Sequence, residues 1–235
     1  MSALKPAAEL AAAAASKPYP GDSNDYRRAR IALLAEEIEL RRHIERVAEQ
    51  RRAMPLGGEI GEFTFRDESD LRLTLAELFG DKDTLVTYTW MFGPQRKRPC
   101  PMCTNFLDAF DKPSLNITQR VGFAVLGRSP VARQLAFARE RGWQHLKFFQ
   151  CGDDFARDYR ALGPKDEEWP ALDVWVKRDG HVHHFWAGEL GGTEDPGQDP
   201  RGAPDPTPLW NILDLTPAGR GTDWYPKLDA VDSSG

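Results

Sequence analysis

The stretch that decides the fold is "VTYTWMFGPQRKRPCPMCTNFLDAF", residues 86–110. Its first five residues are β-branched or aromatic, which predicts a central buried strand. A basic loop follows, and Thr104–Phe110 then has the pattern of a helix that Pro113 ends. Cys100 and Cys103 stand two residues apart between the strand and this helix. Such a pair is a redox dithiol, half of a metal site, or two cysteines without a chemical role.

The segments after this stretch continue the alternation of strands and helices. "VGFAVLG" (121–127) and "HLKFFQC" (145–151) have the composition of strands. Between them, Ser129 and Pro130 predict the N-cap and the first turn of a helix that Gly142 stops. Strands separated by helices of about a dozen residues indicate βαβ units, and therefore a parallel sheet.

A β-hairpin is predicted next, in "PALDVWVKRDGHVHHFWAGEL" (170–190). Val174 and Val176 alternate along its first strand, and Asp179–Gly180 supplies the turn. The hairpin adds an antiparallel edge to the sheet, and the cysteine pair opens the first helix after a central strand. This is the plan of a thioredoxin fold. We therefore predict an α/β protein with a thioredoxin-like fold, a mixed central sheet flanked by helices, and an N-terminal helical extension.

The predicted organisation has three parts, with residues 1–22 as a disordered tail, 23–54 as an N-terminal helix and 55–230 as the thioredoxin-like domain. A Pro/Gly/Asp-rich loop insertion is expected at 191–208. Ser23 or Asp25 caps the helix. The apolar stripe of this helix consists of Leu33, Leu40, Ile44 and Val47. It is expected either to rest on the domain or to pair with a second copy in a homodimer.

Composition and charge exclude several classes of protein. The net charge of −5 does not indicate a nucleic-acid-binding surface, and no nucleic-acid partner is expected. No run of about 18 apolar residues occurs, so no membrane span is expected either. Three cysteines in 235 residues do not suit a secreted disulfide scaffold, and the alanine-rich N-terminus lacks the basic start of a signal peptide. We expect a cytoplasmic protein.

The spacing of the two cysteines suits thiol–disulfide exchange, which needs one thiolate to attack and a second thiol to resolve the mixed disulfide. At a helix N-terminus, unpaired N–H groups and the helix dipole lower the pKa of the first thiol by roughly one unit. Pro101 supports the first helical turn by its fixed φ. We predict that Cys100 attacks and Cys103 resolves. Pro101 and the exposed, screened charge of Arg98 are accessory residues.

The start of the hairpin supplies a second candidate element. In thioredoxin-fold proteins a cis-proline precedes the strand that faces the dithiol, and its backbone pairs with bound substrate. Pro170 stands at that position, directly after Trp169, and both are predicted to orient the substrate. A trans proline that simply opens a strand is the alternative.

Metal binding is the main alternative for the cysteines, because zinc normally takes four Cys or His ligands and more candidates exist. On an alternating strand, however, His181 and His183 share one face while His184 takes the other, and no second CxxC is present. We interpret the histidines as surface or packing residues and predict no metal site. Cys151 is interpreted as a buried apolar residue, with a third redox thiol as its alternative.

Three segments resemble a known family: "RRHIERVAEQRRAMPLGGEI" (41–60), "RPCPMCTNFLDAF" (98–110) and "LDLTPAGRGTDWYPKLD" (213–229). They are similar to the thioredoxin-like bacterial family catalogued as domain of unknown function 899, over about Arg41 to Leu228. That family is described as a predicted dithiol–disulfide oxidoreductase, and the resemblance implies Cys100 and Cys103 as the redox pair. A histidine common in the central strand of the family is replaced here by Thr89, so no role for it is carried over.

The expected function is thiol–disulfide exchange without a cofactor, on a disulfide or thiol substrate that is a protein or a small molecule. A metal-binding or non-catalytic interaction protein is the alternative. A peroxiredoxin-like peroxide reductase is a third option, because "LRLTLAELFGDKDTLVTYTW" (71–90) is similar to that branch. The loop before Cys100 lacks the Pro-x-x-x-Thr/Ser-x-x-Cys spacing of peroxide enzymes, which argues against it.

Overall fold

The structure is a computed structural model that describes residues 4–15 and 17–188. The chain divides into two units, Met1–Pro55 and Leu56–Gly235. The loop insertion expected at 191–208 lies outside the described residues. None of the described helices is both long and apolar enough to cross a membrane.

The first unit contains two helices, α1 (Ala7–Ala14) and α2 (Asn24–Arg52). The start of α2 is as predicted, because the Ser23 hydroxyl accepts a hydrogen bond of 3.1 Å from the backbone N–H of Tyr26. The expectation of a disordered tail over residues 1–22 is wrong where α1 forms. Alanine has the highest helix propensity of all residues, and the buried alanines of α1 pack against α2.

The buried face of α2 is not the predicted one. Ile38 packs on α1, together with three half-buried residues of α2, Ile31, Leu34 and Ala35. By contrast, Leu33, Leu40 and Ile44 are 54%, 60% and 58% exposed. Both stripes have helical spacing, so periodicity alone does not choose between them. The choice depends on α1, which the sequence analysis did not foresee.

The second unit contains a mixed sheet. Within the described residues its seven strands lie in the order β2-β1-β5-β4-β3-β6-β7. The strands are β1 (Phe65–Arg66), β2 (Arg72–Leu73), β3 (Thr84–Thr89), β4 (Gly122–Gly127), β5 (Phe148–Cys151), β6 (Ala171–Arg178) and β7 (His181–Gly188). The helices are α3 (Leu75–Leu78), α4 (Pro101–Phe110), α5 (Ser114–Ile117), α6 (Val131–Arg141) and α7 (Asp153–Asp158).

The strand directions confirm the predicted fold class. β3, β4 and β5 are parallel, with α4 between the first two and α6 between the last two. β6 runs antiparallel to β3, and the hairpin β6–β7 forms the edge. Asp179 and Gly180 have φ of 54° and 84°, the left-handed pair that a two-residue type I′ turn requires. A βαβ unit beside an antiparallel hairpin makes the domain thioredoxin-like.

One local prediction is wrong. Pro130 rather than Ser129 is the N-cap of α6, and the Ser129 hydroxyl accepts a 2.9 Å hydrogen bond from Arg133 instead. The Ser129 hydroxyl thus accepts from a side chain one turn into the helix and not from the first backbone N–H groups of α6.

The two faces of β3 pack in separate clusters. Tyr88 and Trp90 belong to the cluster that includes Cys103 and residues of α4 and α6. On the opposite face, the indole N–H of Trp175 donates to the hydroxyl of Thr87 over 2.9 Å, and both residues are fully buried. This bond joins β3 to β6 on the side away from Cys100 and Cys103.

Replacement of Thr87 by valine tests this joint. The change keeps the shape of the side chain but leaves the buried indole N–H without its acceptor, which costs about 1–3 kcal/mol in the free energy of unfolding. We expect a lower urea midpoint with an unchanged slope. Thr84→Val, at a half-buried position of the same strand, is the control and stays within about 0.5 kcal/mol of the parent. Equal midpoints for both variants would contradict the assignment.

Candidate active site

Cys100 and Cys103 lie where the chain passes from β3 into α4. Cys100 is the N-cap residue of α4, with φ −61° and ψ 131°, and Pro101 occupies the first helical turn as predicted. Cys100 is half-buried, whereas Cys103 is 1% exposed. Both are free thiols. One turn of helix thus separates a residue at the surface from a residue in the core.

The backbone of Met91 connects the end of β3 to both cysteines. The N–H of Cys100 donates to the carbonyl of Met91 over 3.1 Å. The N–H of Met91 in turn donates to the Sγ of Cys103 over 3.5 Å. The two ends of the loop from Met91 to Cys100 are therefore hydrogen-bonded to each other. A change in the conformation of this loop would also move the two thiols.

The environment of Cys100 lowers its pKa to about 6. The largest cause is a hydrogen bond from the Cys103 thiol, which stabilises the thiolate. The backbone N–H groups of Cys103 and Met102 at the helix N-terminus and the positive charge of Arg96 act in the same direction, while burial opposes them. The sequence analysis expected the contribution of the helix N-terminus but not that of the second thiol.

The pKa of Cys103 changes in the opposite direction and lies well above its ordinary value, because burial disfavours its charged form. Its hydrogen bond to Cys100 and the negative charge of that thiolate raise it further. Burial likewise raises the pKa of the neighbouring Tyr88, whose ring stacks on Phe106 with centroids 4.0 Å apart. The two thiols are chemically unequal, which is what the predicted roles need.

The basic loop carries less free charge than its sequence suggests. The guanidinium of Arg98 donates to Glu140 of α6 over 2.8 Å and lies over the ring of Phe137. Arg96 donates to Glu168 over 2.6 Å. The positive charge of Arg96 contributes to the low pKa of Cys100, and the accessory role predicted for Arg98 stays a prediction.

Glu168 is a residue of the site that the sequence analysis missed. Its side chain is 8% exposed and accepts hydrogen bonds from Arg96 and, over 3.3 Å, from Arg128. Its carboxylate also lies against the backbone of Gly93, where an added Cβ would overlap it. The signal available in the sequence was the acidic run "KDEE" directly before Trp169.

Pro170 and Trp169 lie at the same end of the sheet as the cysteines. Thr89, at the end of β3, pairs with Ala171, the first residue of β6, so Pro170 stands beside the exit of β3 toward Met91. The side chain of Trp169 is exposed, with 55% exposure for the residue. Its backbone N–H donates to the carbonyl of Ala161 over 3.1 Å. Their predicted role in orienting substrate stays a prediction.

Cys151 is buried, as predicted. It ends β5 at 3% exposure, in the cluster on the other face of the sheet from Cys103. Burial raises the pKa of its thiol to about 12. A thiol that is neither accessible nor ionised is a poor nucleophile, which argues against the alternative of a third redox cysteine.

Each hairpin histidine contacts a different partner. The Nδ1 of His181 lies 2.6 Å from a carboxylate oxygen of Glu59, and the Nδ1 of His183 lies 3.3 Å from the carbonyl of Gly57. The Nε2 of His184 lies 3.1 Å from Asp173. Within residues 4–15 and 17–188, no group of three or more His, Cys, Asp or Glu side chains is placed to hold a metal ion.

Several solved structures are similar to this chain. A hypothetical protein from Sinorhizobium meliloti 1021 is 18% identical, with 64% of this chain and 79% of that chain covered and a TM-score of 0.41. A peroxiredoxin-like protein from Aquifex aeolicus is 17% identical, with 57% of this chain and 75% of that chain covered and a TM-score of 0.39. The exposed lipoprotein thioredoxin Etrx1 from Streptococcus pneumoniae is 11% identical, with 57% of this chain and 92% of that chain covered and a TM-score of 0.41. These similarities are weak, and the fold assignment rests on the strand order and register.

No curated protein matches the sequence. A family model does match it, over residues 16–231, and is described as a bacterial protein of unknown function, DUF899. The match extends over nearly the whole chain and confirms the resemblance found in its three motifs. The chain therefore belongs to the DUF899 family of bacterial proteins.

Proposed function

We propose that this protein is a thiol–disulfide oxidoreductase that uses Cys100 and Cys103. The observation that carries the proposal is the inequality of the two thiols across one turn of α4. Cys100 has a pKa lowered to about 6, whereas burial raises that of Cys103. A pair of structural cysteines has no need for one thiolate that is stable at neutral pH.

The reaction begins with the Cys100 thiolate, which attacks one sulfur of a substrate disulfide. A mixed disulfide forms, and the other substrate sulfur leaves as a thiolate that takes a proton from water. Cys103 then loses its proton and attacks the Sγ of Cys100. The Cys100–Cys103 disulfide forms, and the second substrate thiol is released. The substrate is reduced by two electrons and the protein dithiol is oxidised by two, so an external thiol must reduce it again.

The mixed disulfide also changes the acidity of Cys103. The negative charge of the Cys100 thiolate is one of the causes that hold the pKa of Cys103 high. That charge disappears when Cys100 becomes bonded to the substrate. Cys103 is therefore easier to deprotonate at the moment when it has to attack, whereas in the free enzyme it stays protonated and donates to Cys100.

Trp169 and Pro170 are proposed to orient the substrate, which is a disulfide or thiol of a protein or a small molecule. Trp169 is more than half exposed, directly before the strand that pairs with β3. An aromatic side chain held beside a reactive sulfur offers an apolar surface to an incoming chain. The proposed compartment is the cytoplasm, where a reduced dithiol is maintained.

The two other functions predict different behaviour of the same thiols. A metal-binding or interaction protein would be purified with stoichiometric zinc that protects both thiols from alkylation. A peroxide reductase would turn over hydrogen peroxide with Cys100 oxidised to a sulfenic acid. Elemental analysis, thiol labelling and peroxide consumption of the same preparation distinguish these outcomes from a Cys100–Cys103 disulfide that forms reversibly.

Trapping of the mixed disulfide is the direct test. In Cys103→Ser the attack by Cys100 still occurs but resolution does not, so a mixed disulfide with a model disulfide substrate accumulates. Mass spectrometry locates it on Cys100. The control is Cys151→Ala, which removes the buried third thiol and leaves exchange unchanged. Undiminished exchange in both Cys100→Ser and Cys103→Ser would show that the catalytic assignment is wrong.

The rate of alkylation of Cys100 should depend on pH with a midpoint near its pKa of about 6. The thiolate is the reactive form, so the rate is low below the pKa and constant above it. Between pH 5 and pH 7 the thiolate fraction rises about tenfold, whereas a thiol with an ordinary pKa would gain about a hundredfold and continue to rise beyond pH 8. Cys103→Ala removes the largest cause of the shift, so its midpoint is expected to be higher. An identical midpoint in that variant would contradict the assigned cause.

A homodimer through α2 remains the proposed oligomer. Leu33, Leu40 and Ile44 leave an apolar face of α2 more than half exposed. If this face pairs with a second copy, Leu40→Glu should convert dimers to monomers in sedimentation velocity, because a carboxylate at the interface would be buried without a partner. Arg46→Glu, on the same helix, is the control that changes charge alone. A parent protein that sediments as a monomer at micromolar concentration would contradict the proposal.

A further inference from the structure

Arg133 occupies a position that the electrostatics of its own helix disfavour. It is the third residue of α6 (Val131–Arg141), whose first turn contains no acidic residue. The positive end of the helix dipole lies at this turn and repels a cation. A residue that breaks a local rule is expected to have a compensating contact elsewhere in the fold.

The contacts of Arg133 are with the loop before Cys100. Its guanidinium donates to the carbonyl of Gly93 over 3.0 Å and to that of Lys97 over 3.3 Å. It also donates to the carbonyl of Arg96, and it lies 4.3 Å from the centre of the Phe92 ring. The carbonyls of Gly93, Pro94, Arg96 and Lys97 therefore converge on one side chain.

We infer that Arg133 is a positioning residue for Cys100, acting by holding the loop from Gly93 to Lys97 in place. This inference rests on the proposed function. The loop contains no helix or strand, and the carbonyl of Gly93 accepts the backbone N–H of Arg96 beside the guanidinium of Arg133. The guanidinium has five N–H donors in a planar fork and remains charged, which suits several neutral carbonyls at once.

The loop transmits this effect to Cys100 in two ways. Arg96 lies in the loop, and its charge favours the Cys100 thiolate only while its backbone is held within reach. The same loop returns to Met91, whose carbonyl accepts the N–H of Cys100. Without Arg133, the freed carbonyl dipoles and the displaced Arg96 both make the thiolate less favourable.

Three variants isolate this role. Arg133→Met keeps an apolar stem of similar length and removes every donor. Arg133→Lys keeps the charge, but a compact ammonium group reaches fewer of the carbonyls. Arg139→Met is the matched control, because Arg139 is exposed on the same helix and its side chain makes no hydrogen bond or ion pair with the part of the chain that the structure describes. Circular dichroism and the thermal midpoint report whether each variant is folded.

The measurement is the pH dependence of iodoacetamide labelling at Cys100, read by mass spectrometry, together with the equilibrium of the Cys100–Cys103 disulfide with glutathione. Arg133→Met is expected to raise the labelling midpoint by about one pH unit, which lowers the rate at pH 6 about fivefold. Arg133→Lys should shift it by less, and Arg139→Met should leave it unchanged.

The outcomes separate this inference from the proposed function. If the parent protein forms a reversible Cys100–Cys103 disulfide but both Arg133 variants keep its labelling midpoint, the inference is overturned and the function stands. If the parent forms no reversible disulfide, the proposed function fails, whatever the labelling midpoint of the variants. Should Arg133→Met fail to fold, an unshifted midpoint in Arg133→Lys overturns the inference by itself.

Discussion

The burial of Cys103 is the constraint on which the candidate site depends. Its thiol lies in the core, where a thiolate would lose its hydration without an adequate replacement. It therefore keeps its proton, and that proton is available to the sulfur of Cys100 one turn earlier. A single hydrogen bond thus lowers the pKa of one cysteine and raises that of the other. Spacing by two residues at a helix N-terminus is what allows one thiol to be buried while the other is not.

The positive residues near Cys100 act mainly inside the fold. Arg96 and Arg98 each form an ion pair with a carboxylate from another segment, and Arg133 directs its donors to backbone carbonyls. The ion pairs of Arg96 and Arg98 weaken the field that these two charges exert at a distance. Their common effect is to give a loop without regular structure a fixed conformation next to the reactive sulfur.

The elements around the cysteines could be predicted from the sequence because their signals are local. β3, α4 and the hairpin turn at Asp179–Gly180 all have residue types that favour the observed conformation. Contacts between distant segments could not be predicted in this way. Nothing local pairs Arg96 with Glu168, and α1 selects the buried face of α2 through contacts that periodicity does not encode. The thiol–thiol hydrogen bond escaped prediction because its strength depends on how deeply Cys103 is buried.

Glu168 gives the most direct evidence that the segment before β6 and the cysteine loop are held together. A buried carboxylate is costly unless it is paired, and this one is shared by Arg96 of the loop and Arg128, which follows β4. A Cβ added at Gly93 would overlap this carboxylate, so a larger residue there would force the carboxylate to move. Trp169 is the next residue along the chain, so its position relative to the loop is set by this contact. On the proposed function, a substrate that contacts both Trp169 and Cys100 would meet two surfaces that are already held in place before it binds, which would lower the entropic cost of forming the mixed disulfide.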